Sequence, residues 1–451
     1  MSSPAKTMPS RIADVVGAAN GTNDPHELAA YEADGVRPSA AARPGAPEEA
    51  AELVKLAATE KLAVIPTGAR TKLGIGMPPA RYDLAIDTTR LDRVISYDPG
   101  DLTVSVEAGM PLAKLAAALA EHKQFLPLSV PFQERATVGG TLASGVDSPL
   151  RQAYGTARDF VLGMEFATGE GALAKSGGRV VKNVSGYDLH KLMLGAIGSL
   201  GIITRVNFKT FPMPATTRGW LAGFSSAEDA SDFALRIRQS PLAPQTLEIL
   251  GLRSPAILAA GHLLEKSEWA VAISAAGNGR VMERCAGDLE TMARGAATFI
   301  ALDEQERPAL WQRIREFPAR IAEESPGAAL IRLSVLPTKV AEALRMLQGV
   351  AAENGLPGAA LARGNGVIYF ALLPAKDGAA ELPRIAQCAK EIFAAVAKNN
   401  GSAMIPWCAL KLKREINVWG APCEDFPLMQ RAKQAFDPHN IFAPGRFVGG
   451  L

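Results

Sequence analysis

Apolar and polar positions repeat with helical or strand periods along the chain, and the pattern differs between its two halves. In the first half, the pattern predicts a helix over Glu48–Glu60, with Pro47 at its start. Short apolar or alternating runs predict strands over Lys61–Ile65, Leu102–Glu107 and Ile202–Phe208. Each of these strands is followed by glycine or proline, which is typical of a strand end.

Pro212 and Pro214 end the first pattern, because proline cannot donate to a sheet ladder, and they indicate a domain boundary. Beyond them, amphipathic helices are predicted over Ala230–Gln239, Val281–Arg294, Thr338–Asn354 and Leu382–Asn399. Strands are predicted between them over Trp269–Ser274, Ala329–Val335 and Val367–Leu373. This order favours an α+β layer with helices on one face of an antiparallel sheet.

Composition narrows the class of protein. The chain has 451 residues, 48% of them hydrophobic and 21% charged, which indicates a soluble globular protein of two to four domains. A net charge of +2 gives no global field for binding nucleic acid, so we expect none as partner. The first twenty residues lack a continuous apolar core, which favours a cytoplasmic protein. Leu192–Ile203 is too short to span a bilayer, so membrane contact is expected to be at most peripheral, at the inner face and through partners.

Cysteines argue against a metal or iron–sulfur role for this chain. Its four cysteines are widely spaced and include no C-x-x-C pair: Cys285, Cys388, Cys408 and Cys423. This spacing excludes a ferredoxin-type cluster and is typical of reduced thiols.

Three glycine-rich segments carry the candidate chemistry: Pro66–Gly74, Ala136–Gly145, and Lys182–Leu189 with the following Gly195–Ile203. Successive backbone N–H groups in such segments can cradle phosphate oxygens, and small residues let a flat ligand approach the main chain. A glycine-bearing turn is the alternative for the first segment, and an N-cap role is the alternative for Asp188. Together the segments predict one extended ligand with a diphosphate and a planar ring.

The motifs PTGARTKLG, VEAG, ATVGGTLASG, YGTARDFVLG, NVSGYDL and GSLGIIT, in this order, resemble the vanillyl-alcohol-oxidase or PCMH-type FAD-binding flavoproteins. VVKNVSGYDLHKLMLGAIGSLGIIT and the terminal FDPHNIFAPGRF are more closely similar to FAD-binding subunits of bacterial glycolate oxidases. The resemblance implies a PCMH-type domain of two α+β subdomains, with FAD between them, at 37–214. It further implies an N-terminal extension with a helix at 1–36, an α+β cap at 215–425 and a segment at 426–451 that returns to the FAD domain.

The resemblance also implies which residues contact FAD. Those expected at the pyrophosphate are Pro66, Gly68, Ala69, Arg70, Thr71 and Lys72. Those expected along the diphosphate and flavin are Gly109, Val138, Gly139, Gly140, Thr141, Ala143 and Gly145, and those at the adenine end or ring edge are Gly201, Ile202 and Ile203. The first loop contains neither His nor Cys, so non-covalent FAD is expected. Arg363–Tyr369 stands where related catalytic subunits carry a histidine motif, and its lack of histidine predicts no metal site.

Oxidation of a hydroxy acid needs a cation for the carboxylate and a base for the hydroxyl proton. Lys411 and Arg414, at and beyond the end of the strand-like stretch 403–412, are weak candidates for the cation, with a solvated charged edge as the alternative. Tyr369 is a weak candidate for a pocket wall, with a core role as the alternative, and Arg446 is expected to approach the FAD domain. No residue is identified as the base.

The leading hypothesis is an FAD-binding subunit of a heteromeric glycolate oxidase or dehydrogenase, which converts glycolate to glyoxylate. Its expected partners are a catalytic flavoprotein subunit and an iron–sulfur subunit. One alternative is a self-sufficient FAD-dependent dehydrogenase of a small 2-hydroxy acid or alcohol. Another is a non-catalytic assembly protein that keeps FAD as a structural element.

Overall fold

A computed structural model describes residues 7–179, 186–264, 267–374, 381–399 and 401–451, so the predicted ligand contacts at 182–185 lie outside the described residues. The α-helices of the described part are Met8–Val16, Pro25–Leu28, Pro47–Glu60, Leu112–Ala120, Val138–Ser144, Arg151–Tyr154, Ala157–Phe160, His190–Met193, Ala227–Gln239, Ser254–Ile257, Gly279–Met292, Glu306–Glu324, Val340–Glu353, Leu382–Lys398, Leu410–Lys413 and Phe426–Phe436. In this part of the chain, no helix is both long and apolar enough to cross a membrane.

The first half contains two main sheets. The mixed sheet runs in the order Gly21–Thr22, Ala40–Ala42, Leu84–Asp87 and Val64–Thr67, with parallel pairing on both sides of Leu84–Asp87. The inner sheet is antiparallel and runs in the order Val94–Asp98, Thr103–Glu107, Ile202–Lys209, Val161–Ala167 and Leu173–Gly177. A short pair, Gln124–Phe125 with Phe211–Pro212, lies at the junction with the second half. The two main sheets correspond to the two α+β subdomains that were expected.

Two local predictions in the first half were wrong. The strand predicted from Lys61 begins only at Val64, because Lys61 adopts a left-handed φ of 56° as the C-cap of the preceding helix. Asp188 does not cap the helix His190–Met193, whose N-cap is Leu189. Instead, the Asp188 carboxylate lies 2.5 Å from Lys191 Nζ, an ion pair that lowers the pKa of Asp188.

The second half is built on an antiparallel sheet, the cap sheet, which confirms the predicted α+β layer. Its order is Thr298–Leu302, Thr216–Phe224, Trp269–Gly277, Thr246–Leu252, Gly358–Arg363, Val367–Leu372, Ala329–Ser334 and Ser402–Cys408. The predicted helices cover one face, where Phe233, Met282, Leu344 and Ile392 pack on Ile249. The pattern missed Glu306–Glu324, which contains Pro318 and packs on the opposite face through Leu310, Ile314 and Phe317.

The stretch 403–412, predicted as one strand, is also different in the structure. The strand ends at Cys408, and the chain then turns into the short helix Leu410–Lys413. Strand alternation over this stretch would place Lys411 and Lys413 on one face, but Lys411 is exposed, whereas the side chain of Lys413 is buried.

The C-terminal segment returns to the mixed sheet. Val64 N–H donates to Ile441 O over 2.7 Å, and Ala443 N–H donates to Val64 O over 2.8 Å. Lys433, buried at this junction, donates to Asp437 Oδ2 at 2.7 Å and to the carbonyl oxygens of Ser199 and Phe442 at 2.9 and 2.8 Å. A buried ammonium thus ties the last helix to the segment that precedes strand Ile202–Lys209.

We expect Lys433→Met to lower the free energy of unfolding by about 3–5 kcal/mol, because it leaves the buried Asp437 carboxylate without its ion-pair partner. The measurement is chemical denaturation followed by circular dichroism. Lys411→Met is the matched control, since Lys411 is exposed, and its expected effect is within about 0.5 kcal/mol. Equal midpoints for the two variants would contradict the role given to Lys433.

Candidate functional site

A cleft opens where the first two of the three glycine-rich segments, Pro66–Gly74 and Ala136–Gly145, face each other. The first segment follows strand Val64–Thr67, and the second includes helix Val138–Ser144. A third wall comes from the turn before strand Ile202–Lys209. The lining residues are Ile65, Pro66, Thr67, Gly68, Ala69, Arg70, Thr71, Lys72, Leu73, Ile75, Thr88, Thr137, Gly139, Gly140, Ala143, Ser144, Ile197, Gly198, Gly201, Ile202, Ile203 and Arg446.

Close packing explains three of these glycines. A Cβ on Gly68 would collide with Thr137 Oγ1 of the opposite wall, and one on Gly139 would lie 2.8 Å from the Cβ of Ala108. A Cβ on Gly140 would lie 3.0 Å from Thr137 Oγ1, which is also a tight contact. Gly68 therefore brings the cleft walls together, whereas Gly139 packs the second segment on the end of strand Thr103–Glu107.

Lys72 supplies a cation to the cleft. Burial lowers the pKa of Lys72 to about 8, and the nearby Glu316 carboxylate acts in the opposite direction. Its Nζ lies 3.3 Å from Thr71 Oγ1 and 5.8 Å from the centre of the Phe132 ring. The buried Thr67 Oγ1, on the same cleft wall, has no hydrogen-bond partner among the described residues. A desolvated ammonium beside an unsatisfied hydroxyl is suited to an anionic, oxygen-rich ligand.

Arg70 holds the first loop in place through contacts with Asp87 and Tyr31. Its Nη1 donates to Asp87 Oδ2 over 2.7 Å, and its guanidinium lies 4.6 Å from the centre of the Tyr31 ring. Tyr31 donates to the same oxygen over 2.8 Å. Burial, with the Asp87 carboxylate as the next cause, raises the pKa of Tyr31 to about 12, so the phenol stays a donor. Arg70 lines the cleft, but its charge is already paired.

The carbonyl groups at the back of the first loop are held by buried cations from the C-terminal part of the chain. Arg446 Nη2 donates to Leu73 O and to Ile75 O, the latter over 2.7 Å. Lys413 Nζ donates to Gly74 O and to both carboxylate oxygens of Asp34 at 2.8 Å. With its carbonyl groups fixed behind it, the loop keeps its shape without a ligand.

A buried ion network joins the second glycine-rich segment to the cap sheet. Arg363 Nε lies 2.5 Å from Asp147 Oδ2, and its Nη1 lies 2.8 Å from Glu248 Oε1. Tyr369 lies beneath Arg363, with 5.6 Å between the guanidinium carbon and the ring centre. Burial raises the pKa of Glu248 to about 7, against the opposing effect of Arg363. Asp147 Oδ1 also lies 3.4 Å from Arg151 Nη1, so Asp147 is shared between two arginines, whereas Glu248 pairs with Arg363.

Sequence reasoning missed Arg315 and Glu316, on the long helix Glu306–Glu324. Glu316 Oε2 accepts from Phe132 N–H over 2.8 Å, and Arg315 Nε donates to Glu316 Oε1 over 2.9 Å. The same Glu316 carboxylate acts on the pKa of Lys72, so it faces both a lysine of the first loop and an arginine of the cap. Recognition of this segment as a helix was the missing signal, because its Pro318 argues against one.

The other predicted site residues have mixed positions. Four of the proposed FAD contacts do not line the cleft: Gly109, Val138, Thr141 and Gly145. Gly109 packs on Thr88 O, and Gly145 packs on Gly195. Lys411 and Arg414 are exposed, and Tyr369 is buried under Arg363, so none of these three lines the cleft. Arg446 does line it, as expected from its predicted return.

The residues of the cleft fit FAD. Main-chain walls, the unpartnered Thr67 hydroxyl and the Lys72 ammonium suit a diphosphate and a flat ring. Within the described ranges, no group of three or more His, Cys, Asp or Glu side chains could hold a metal ion. The described part of the chain therefore offers a nucleotide site, and its acidic side chains near the cap are paired with cations.

Comparisons with known proteins agree with this geometry. Residues 38–177 match the model of the FAD binding domain family, and residues 213–447 match that of the FAD linked oxidases, C-terminal domain. The fold is similar to that of p-cresol methylhydroxylase, with a TM-score of 0.79 at 17% identity over 97% of this chain and 95% of that one.

Three curated relatives are glycolate oxidase subunits or a dehydrogenase of a 2-hydroxy acid. The chain is 24% identical to glycolate oxidase subunit GlcD of Bacillus subtilis (strain 168), over 91% of this chain and 88% of that protein. It is 36% identical to glycolate oxidase subunit GlcE of Escherichia coli (strain K12), over 41% of this chain and 52% of that protein. It is 26% identical to D-2-hydroxyglutarate dehydrogenase of Xanthomonas citri pv. viticola, over 94% of this chain and 93% of that protein. The chain belongs to the FAD-linked oxidase family, and it is an FAD-dependent oxidoreductase acting on CH–OH groups.

Proposed function

We propose that the chain is the FAD-binding subunit of a multi-subunit glycolate oxidase, where it exchanges electrons with a catalytic flavoprotein subunit and an iron–sulfur subunit. The observation that carries this proposal is the ion network of Arg363. A buried cap arginine is a natural anchor for a substrate carboxylate, but here Asp147 and Glu248 are already paired with Arg363. A substrate carboxylate would have to displace one of these two buried side chains.

Two further observations support the subunit hypothesis. Cysteine spacing in this chain excludes its own ferredoxin-type cluster, so electrons must pass to another polypeptide or to an external acceptor. The similarity to GlcE, a glycolate oxidase subunit, has the highest identity of the three relatives above. Bound FAD supplies the hydride and single-electron chemistry that these transfers require. The chain contributes the backbone cradle and the Lys72 charge.

A self-sufficient hydroxy-acid dehydrogenase is the second candidate, and the pair of cations at the cap side of the cleft favours it. Lys72 and Arg315 meet around Glu316 there, and a small carboxylate could exchange with that side chain. The near full-length similarity to D-2-hydroxyglutarate dehydrogenase agrees with this alternative. It requires that Glu316 release Arg315 when substrate binds.

We expect the affinity for FAD to fall as the pH rises above about 8, because the FAD-free protein loses the Lys72 proton there. A bound diphosphate favours the ammonium form, so binding takes up a proton, and the affinity falls by up to about tenfold per pH unit. Lys72→Met should weaken binding near pH 7 and flatten the profile. Flavin fluorescence titration between pH 7 and pH 9.5 measures both effects.

Lys175→Met is the matched control for this titration, since the Lys175 side chain is 75% exposed. It should keep the wild-type profile. If Lys72→Met retains the same decline as the wild type, another group is responsible and Lys72 does not contact the diphosphate.

The subunit hypothesis predicts that the purified chain, loaded with FAD, is not bleached by glycolate on its own. When it is co-expressed with its partners, the chain should co-purify with an iron–sulfur protein, and glycolate should then reduce a dye acceptor. Turnover of glycolate by the isolated chain at the rate of the complex would instead support the second candidate.

Gly140→Ala tests whether the complex needs FAD at this site. The added methyl group would lie 3.0 Å from Thr137 Oγ1, the N-cap of helix Val138–Ser144, so we expect a local shift of the cleft wall and a fall in FAD affinity of about tenfold, ~1.4 kcal/mol. The complex should still assemble, with turnover restored by excess FAD. Gly287→Ala is the control, because its Cβ meets no atom within 4 Å. Unchanged turnover at limiting FAD would favour a purely structural role for this chain.

A further inference from the structure

A cavity of about 330 Å³ lies between the FAD-binding half and the cap, and none of its lining residues lines the FAD cleft. Its volume is at the lower end of the range of roughly 300–1,000 Å³ found for small-molecule sites. The lining residues are Phe125, Ser129, Pro149, Leu150, Met213, Pro214, Thr217, Gln245, Thr246, Ser274, Arg307 and Trp311. No function discussed above uses this cavity.

The wall on the side of the FAD-binding half is apolar and fixed in place. Phe125 packs edge-on against Tyr154, with 5.3 Å between the ring centres, and Tyr154 packs on Phe211 at 5.1 Å. Gln245 Nε2, from the cap, donates to the Tyr154 hydroxyl over 3.0 Å. This contact ties the two halves together at the cavity, so the wall exists before any ligand binds.

The cap contributes polar atoms that lack partners. Thr246 Oγ1 and Trp311 Nε1 are buried, and neither has a hydrogen-bond partner among the described residues. Buried polar atoms in folded proteins nearly always have a partner. Thr246 and Trp311 both belong to the cavity lining, and the indole N–H requires an acceptor.

Arg307 is the charged residue of the cavity lining. Its aliphatic stem packs over Gly219 of the cap sheet, with Cγ and Cδ 3.0 and 3.4 Å from where a Cβ on that glycine would lie. The guanidinium forms no ion pair or hydrogen bond with any residue that the structure describes. No Asp or Glu occurs among the described lining residues, so the cavity presents an uncompensated positive charge.

We propose that this cavity binds a small monocarboxylate with a flat, apolar body. The guanidinium, the indole N–H and the hydroxyl groups are donors for the carboxylate, and the apolar wall around Phe125 receives the body of the ligand. No glycine occurs among the described lining residues, so the cavity lacks the backbone cradle that phosphates use. The ligand contacts both halves of the chain.

The site is separate from the cation pair at the FAD cleft. Arg307 and Arg315 lie eight residues apart on one helix, which corresponds to about 12 Å along its axis. Trp311 lies between them, at positions i+4 and i−4 on the same side of the helix. A ligand held by Arg307 would therefore be beside the cleft and would leave its residues free.

Calorimetric titration of the FAD-loaded wild-type chain with phenylacetate tests the proposal, with 2-phenylethanol as the uncharged analogue. We expect phenylacetate to bind about tenfold more tightly than the alcohol, because the carboxylate pairs with Arg307. Arg307→Gln should abolish this difference. Arg294→Gln is the control, since Arg294 is exposed on the far helix layer of the cap, and it should bind like the wild type.

Thr246→Val and Trp311→Phe test the proposal independently of Arg307, because each removes one unpartnered polar atom and preserves most of the side-chain volume. Both should weaken phenylacetate binding and leave binding of the alcohol unaffected. Equal affinity for the two probes in the wild type would overturn the proposal. Displacement of the flavin, or binding lost in Arg315→Gln but kept in Arg307→Gln, would overturn it by locating the probe in the cleft.

Discussion

The structure depends on the close approach of the first glycine loop to the segment that begins helix Val138–Ser144. Gly68 packs on the Thr137 side chain across the cleft, and Gly139 packs that segment on Ala108, at separations that leave no space for a Cβ. A side chain at Gly68 would push the walls of the cleft apart, whichever ligand is bound. The cleft is therefore a property of main-chain packing, which explains why its chemistry relies on N–H groups and a single unpaired ammonium, Lys72, rather than on a catalytic side-chain cluster.

That packing requires support from the other end of the chain. The last segment pairs with Val64, while the buried Lys413 and Arg446 bind carbonyl groups behind the first glycine loop. Buried cations are costly unless each proton finds an acceptor, so these contacts fix the position of both the loop and the C-terminal segment. A site assembled from residues more than 300 positions apart forms only when the whole chain has folded.

Local sequence signals identified the glycine walls of the cleft and the helices of the cap, because both follow from backbone requirements and periodicity. The same signals could not separate Lys411 from Lys413. Lys411 is exposed and Lys413 is buried because a single helical turn after Cys408 directs Lys413 toward Asp34. The sequence pattern did not identify Arg315 and Glu316 as site residues, because Pro318 interrupts the helical pattern of their segment. Ion pairs across distant strands, such as Arg363 with Asp147, depend on tertiary register and have no local signature.

The Arg363 network also bears on how the two halves cooperate. Asp147 belongs to the turn after the second glycine-rich segment, whereas Glu248 and Arg363 are neighbours on adjacent strands of the cap sheet. In this buried interface, the Arg363–Asp147 ion pair holds the halves in register, while Glu248 stays with Arg363 in the cap and Arg151 stays with Asp147 in the FAD-binding half. Rigid coupling of this kind favours electron transfer at fixed distances. An active site that opens for each substrate would have to break the Arg363–Asp147 ion pair, a step that the proposed electron-carrying role does not need.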